Sequence, residues 1–182
     1  GAWDGGLWRQ GGGRGGAARG TPGQQGGDGP FVDGIAVREE VGRARLPGPY
    51  SATMGRAVPA LVGEGTEAQK KEALSVIAEG KARATLAMTE PSGRWDAGGV
   101  TLAAKPVAGG WRLDGVKLFV PDAAGADYMV VAARTRGHGG EGISLFLVKA
   151  RHTATTATPL PTQRIHEPIP QVPFAGAPRR PG

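Results

Sequence analysis

The chain has 182 residues, 39% of them hydrophobic, with 33 Gly, 15 Pro and a net charge of +6 at pH 7. That length suits one domain with a real core, or a small domain plus part of another, and the basic excess suits an acidic partner or a solvated surface. The lack of Cys excludes disulfides, thiolate metal sites and a Cys nucleophile, and it fits a reducing, cytoplasmic setting; no apolar run approaches the ~18 residues of a membrane span, and no basic-then-apolar secretory signal opens the chain.

Residues 1–30 contain 13 Gly, show no helical or strand period and read as a disordered, Gly-rich leader or a truncated start. One Arg14-Gly15-Gly16 without repeats or interleaved aromatics is too little for RNA binding, so no nucleic-acid partner is expected. A first helix is expected from Phe31 to Arg45, with Phe31, Ile35, Val37 and Val41 on one broad face; Leu46-Pro47-Gly48-Pro49-Tyr50 ends it. Gly42 in that helix suits close packing or is incidental. Ser51 to Leu61 reads as a second helix broken by Pro59. Thr66 with Gln69 forms a capping-box pattern for a helix from Glu67 to Glu79. That helix carries Ala73, Leu74, Ile77 and Ala78 on one side, and Gly80 suits its end.

From Ala82 the period changes to two residues. The apolar run Ala84 to Met88 is stopped by Pro91, and Val100, Leu102 and Ala104 then alternate with polar or small neighbours. Gly109-Gly110 signals a hairpin turn, after which Trp111, Leu113, Val116, Leu118 and Val120 supply the apolar positions. Asp127 to Ala133 and Gly142 to Lys149 are apolar enough for central strands, joined by a polar loop in which His138 reads as solvated. His138, His152 and His166 lack metal-ligand spacing, so no metal site is expected. Thr153 to Thr158 and Gln171 to Phe174 are weaker strands, followed by a tail from Pro178 to Gly182. The pattern predicts an α+β fold, N-terminal helices followed by a small antiparallel β-barrel or sandwich, divided as 1–30, 31–81 and 82–182.

Three segments also fall in an order that resembles one family. Glu39-Glu40 with Gly42-Arg43-Ala44 precedes Leu46-Pro47-Gly48-Pro49-Tyr50, and Gly65-Thr66-Glu67 opens a helix leading into Thr89-Glu90-Pro91. Gly93 and Asp96 follow in the loop, and after a hairpin comes Lys117-Leu118-Phe119-Val120-Pro121. This resembles the acyl-CoA dehydrogenases from about residue 23 onward, where the usual form is close to L-T-E-P-x-x-G-S-D followed by a W-I-T-N-like strand end.

The resemblance implies the end of an N-terminal helical domain and most of a middle β-domain, with the C-terminal helical bundle absent. It implies FAD as cofactor and α,β-dehydrogenation of an acyl-CoA thioester, with hydride transfer to FAD. An electron-transfer acceptor protein would be the redox partner, and the full-length form would be a homo- or hetero-oligomer. Met88, Thr89, Phe119 and Pro121 take the cofactor-binding positions, and Arg94 and Trp95 the substrate-binding ones. Arg94-Trp95 stands where the family has Gly-Ser, and Pro121 stands where it has Thr, which removes a side-chain donor. The family's carboxylate base belongs to the C-terminal helical domain, so no catalytic residue is assigned here and the chain alone is expected to be inactive. The alternative is a non-catalytic barrel, a binding or partner subunit that has lost flavin.

Overall fold

The computed structural model of the chain describes residues 33–45, 48–150, 157–160 and 169–179. The expected leader 1–30, Phe31, Leu46-Pro47, His152, His166 and most of the strand expected at 153–158 lie outside them. Two compact units meet at the Ala84–Thr85 bond. Among the described residues no helix is long and apolar enough to cross a membrane.

The first unit is helical. Helix α1 spans Asp33–Arg43, α2 Tyr50–Ala52, α3 Val58–Glu64 and α4 Glu67–Ala78. In α1 Ile35 is exposed while Val37 and Val41 are half-buried, and among the described residues, the helix's own backbone aside, no atom lies within 4 Å of where a Gly42 side chain would begin. The expected break at Pro59 does not occur. A five-residue π-helix, Thr53–Ala57, joins α2 to α3, and Pro59 falls in the first turn of α3, where a missing N–H costs least. The buried Thr53 hydroxyl donates to the Ala84 carbonyl at 2.8 Å and accepts from the Ala84 N–H at 3.1 Å, which fixes the chain where the sheet begins.

Helix α4 forms as its local chemistry dictates. Thr66 Oγ1 accepts from the Gln69 N–H at 3.3 Å while Gln69 Oε1 accepts from the Thr66 N–H at 2.9 Å, closing the capping box. Ala73, Leu74, Ile77 and Ala78 are buried, and Gly80 adopts φ +69° just past the end.

The second unit is a seven-stranded mixed sheet. Its strands are β1 Ala84–Ala87, β2 Ala103–Val107, β3 Gly110–Lys117, β4 Tyr128–Arg134, β5 Ile143–Lys149, β6 Thr158–Pro159 and β7 Pro170–Arg179. The order is β1-β4-β2-β3-β7-β6, with β5 also paired to β4. The fold is α+β as expected, with one refinement: β2 and β4 run parallel where they meet at Ala103 and Arg134, among otherwise antiparallel pairs β2–β3, β3–β7, β4–β5 and β6–β7. One core cluster lies in this unit, with Leu102, Leu113, Val131, Phe146, Val148 and Val172 among its members.

Three details differ from the sequence reading. The hairpin turn is Ala108-Gly109, because Val107 pairs directly with Gly110 and only Gly109 needs the left-handed φ of +78° that a tight turn requires. Pro178 and Arg179 belong to β7, paired with Arg112 and Trp111, not to a tail. The prolines of β7 hid its length; among the described residues β6 pairs with it at Pro170 and Gln171 only, so most of β7 has one described neighbour and tolerates missing donors. Lastly, β3 does not bury Val116 and Leu118 fully; Leu113 and Lys117 take its buried positions.

Candidate functional site

The loop after β1 and the end of β3 lie side by side. The Leu118 N–H donates to the Thr89 carbonyl at 2.8 Å, so the Thr-Glu-Pro segment and the Lys-Leu-Phe segment are joined by main chain. On this junction sit Met88 and Phe119, 49% and 53% exposed, two of the few large apolar side chains left open. Thr89 is half-buried. Among the described residues neither its N–H nor its hydroxyl has a hydrogen-bond partner, which leaves two donors beside an apolar strip.

Phe119 is held in an unusual backbone state. Its φ is +54°, the left-handed region that costs a non-glycine residue about 1–2 kcal/mol. The flanking bonds over-determine it: Leu118 N–H to Thr89, Val120 N–H to the Pro170 carbonyl at 3.1 Å, and the Thr85 hydroxyl to the Pro121 carbonyl at 2.6 Å. Asp122 is left-handed as well, at φ +52°, opening a short 3-10 turn over Ala123–Gly125. Pro121 therefore meets Thr85 through its carbonyl and brings no side-chain donor to the strip.

Arg94 and Trp95 stand on the loop between β1 and β2. Trp95 is 92% exposed. Arg94 donates to Asp96 Oδ2 at 2.8 Å in a solvent-facing pair, and Asp96 in turn accepts from the Gly99 N–H at 3.1 Å. The hydrogen bond from Arg94 leads in holding the Asp96 carboxyl below its ordinary range. The loop is tight: a side chain at Gly99 would begin 2.6 Å from the Arg94 Cβ.

Two groups of residues escaped the sequence reading. Glu90, to which no role was assigned, is 3% exposed, and Lys117 is fully buried beside it. Glu90 Oε1 accepts from Lys117 Nζ at 2.7 Å and from the Leu102 N–H at 3.0 Å; Oε2 accepts from the Thr101 N–H at 2.9 Å and the Thr101 hydroxyl at 2.5 Å. Lys117 Nζ also donates to the Met88 carbonyl at 3.0 Å. One carboxylate thus ties the end of β1, the start of β2 and the end of β3. Burial pushes the Glu90 carboxyl up, but the bonds from Lys117, Thr101 and Leu102 outweigh it and hold the group below its usual range. Burial draws Lys117 down, opposed by the Glu90 charge.

The second group centres on Arg134. Its Nε–H donates to Val100 O at 2.8 Å, and its other donors reach Glu141 O at 2.6 Å, Gly139 O at 2.8 Å and Ala97 O at 3.2 Å. One guanidinium thereby joins the end of the Arg94-Trp95 loop to the loop between β4 and β5. The lysine stood in an alternating strand and the arginine at a strand end, positions where a charge normally faces water; only their distant partners reveal them.

Residues 85–169 match the family model for the acyl-CoA dehydrogenase middle domain. The short-chain specific acyl-CoA dehydrogenase of Megasphaera elsdenii is 33% identical over 134 residues, covering 71% of this chain and 34% of that protein. The crystal structure of an acyl-CoA dehydrogenase from Geobacillus kaustophilus superposes with a TM-score of 0.85 at 25% identity, over 99% of this chain and 49% of that one. The FAD complex of PigA superposes at 0.83 with 25% identity, over 97% of this chain and 48% of that one. The chain spans about a third of the length of the curated relatives it matches. The family model, the relatives and the solved structures converge on one family, and together they support reading this chain as a fragment of an acyl-CoA dehydrogenase.

Proposed function

We propose that this chain provides the flavin-facing wall of an FAD-dependent acyl-CoA dehydrogenase. The observation that carries the reading is Phe119, strained into the left-handed region and half-exposed beside Met88, with the open donors of Thr89 adjoining. A flat apolar surface edged by two neutral donors fits a ring system with one polar edge, and strain of this kind persists where function retains it. When bound, FAD supplies the two-electron acceptor for α,β-dehydrogenation of an acyl-CoA thioester. The chain's own residues do the rest: Phe119 and Met88 exclude water from one face, Thr89 donates at the polar edge, and the Pro121 carbonyl, held by Thr85, fixes the strand end.

Arg94 and Trp95 are the residues we assign to the acyl-CoA, by charge pairing with phosphate and by stacking. Their exposure supports this, although Arg94 must exchange or share Asp96 to do it. No general base is assigned within the chain. Glu90 has every acceptor position occupied and is held charged, which suits structure and not proton transfer. Reoxidation would require an electron-accepting partner protein, and an oligomeric full-length form accords with the family.

The test is direct. The purified chain mixed with FAD is expected to retain it through gel filtration with flavin absorption bands, and Thr89→Val with Phe119→Ala to lose it. No retention by the unsubstituted chain would favour the second reading, a flavin-free binding subunit, for which the loss of a side-chain donor at Pro121 speaks.

A further inference from the structure

The inference rests on the flavin reading of Thr89 and concerns a pair that reading does not use. The Met88 carbonyl and the Thr89 N–H are the two ends of one peptide group. That carbonyl accepts from the buried Lys117 ammonium at 3.0 Å, and among the described residues no peptide bond is cis. In a planar trans peptide the N–H points opposite to the C=O, so an oxygen aimed at the buried lysine turns the Thr89 N–H away from it. The next carbonyl, that of Thr89, is fixed by the Leu118 N–H at 2.8 Å, which keeps the segment from rotating. A cation bonded to a peptide oxygen draws electron density from the nitrogen and strengthens its N–H as a donor, an effect of about 10–30% per bond in condensed phase. Glu90 holds the ammonium in place at 2.7 Å and balances its charge, so the polarisation comes without a net buried charge.

We propose that Lys117, braced by Glu90, is a positioning residue that polarises the Met88–Thr89 peptide and directs the Thr89 N–H as a strengthened donor toward the electron-rich edge of the flavin, favouring its reduced state. The ion pair is thus part of the redox tuning of the site as well as of its fold. A donor strengthened in this way binds the reduced, more negative ring better than the oxidised one.

The variant to make is the double substitution Lys117→Met with Glu90→Gln, which removes both charges at similar volume. Two measurements are compared with the unsubstituted chain: the Thr89 amide proton shift by NMR without flavin, and the binding of oxidised and reduced FAD. Expected are an upfield move of the Thr89 proton and a loss of about tenfold in the preference for reduced FAD, which for a two-electron couple lowers the midpoint potential by ~30 mV. An unmoved Thr89 proton, or equal losses for the two oxidation states, makes the pair structural and overturns the proposal. Should the unsubstituted chain bind no FAD, the flavin reading fails, while the Thr89 shift still decides whether Lys117 polarises this peptide. Should the double variant not fold, the unsubstituted chain decides: a Met88 carbonyl carbon shifted downfield as for a hydrogen-bonded peptide supports the proposal, and a water-like value overturns it.

Discussion

Glu90 and Lys117 lie 27 residues apart in sequence and 2.7 Å apart in space, with both side chains sealed from solvent. Removing one partner strands the other charge in the interior, which costs about 3–5 kcal/mol, whereas exchanging both for neutral groups of similar volume is often close to neutral. Lys117→Met and Glu90→Gln are therefore each expected to lower stability by about that much, with the double variant nearer the parent than either. Urea titrations measure it. Additive losses would show that the two groups are not coupled.

The same pair sets an acid limb. Because its bonds hold the folded Glu90 below the ordinary glutamate value of 4.5, the unfolded chain takes up this proton first on acidification. Glu90 thus contributes fully above 4.5, and its contribution is lost as pH falls through the lowered folded value. Lys117, also drawn down, affects only the alkaline limb, where its folded form gives up a proton before the unfolded one. Urea midpoints measured from pH 7 down to 3 are expected to fall more steeply for the parent than for the neutral double variant. Parallel curves would contradict this.

Phe119→Asn separates strain from function. Asn tolerates the left-handed φ of +54°, so the relief of about 1–2 kcal/mol offsets much of the packing lost from a half-exposed ring. The expected outcome is a melting temperature close to that of the parent with weaker FAD retention. A large drop in stability without change in FAD binding would assign Phe119 to the core alone.

Arg94→Ala tests the exposed loop. The Arg94–Asp96 pair faces solvent, so stability is expected to stay within about 0.5 kcal/mol. Loss of a charge-assisted phosphate contact is expected to weaken acyl-CoA binding by about tenfold or more, less so in high salt. Calorimetry at two ionic strengths reads both. Unchanged acyl-CoA affinity, with only Trp95→Ala shifting the melt, would make the loop structural.

Arg134→Met should loosen two loops together. The guanidinium bonds to Val100 and Ala97 on one side and to Gly139 and Glu141 on the other. A stability loss of about 1.5–3 kcal/mol is expected, with faster amide hydrogen exchange in both loops and not in β5. Exchange raised in one loop only would deny Arg134 its bridging role.

The features legible in the sequence were those set by neighbours in the chain. The Thr66–Gln69 cap needs residues three apart, Gly80 needs only its own backbone freedom, and the apolar runs of β4 and β5 need only local composition. The Thr-Glu-Pro and Lys-Leu-Phe segments announced the family, and the structure joins them through Leu118 and Thr89. Where the reading stopped short, a distant partner decided the outcome. Pro59 looked like a helix breaker until a π-turn placed it in a first turn, and the prolines of β7 looked like a tail until β3 paired with them. Lys117 reads as a surface cation because lysine in an alternating strand normally faces water, and only Glu90, brought in from another strand end, makes burying it tolerable. Sequence determines what each residue offers by way of charge, donors and permitted backbone angles. Tertiary structure alone decides which offers are taken up, since desolvation and pairing energies depend on partners that the linear order does not specify.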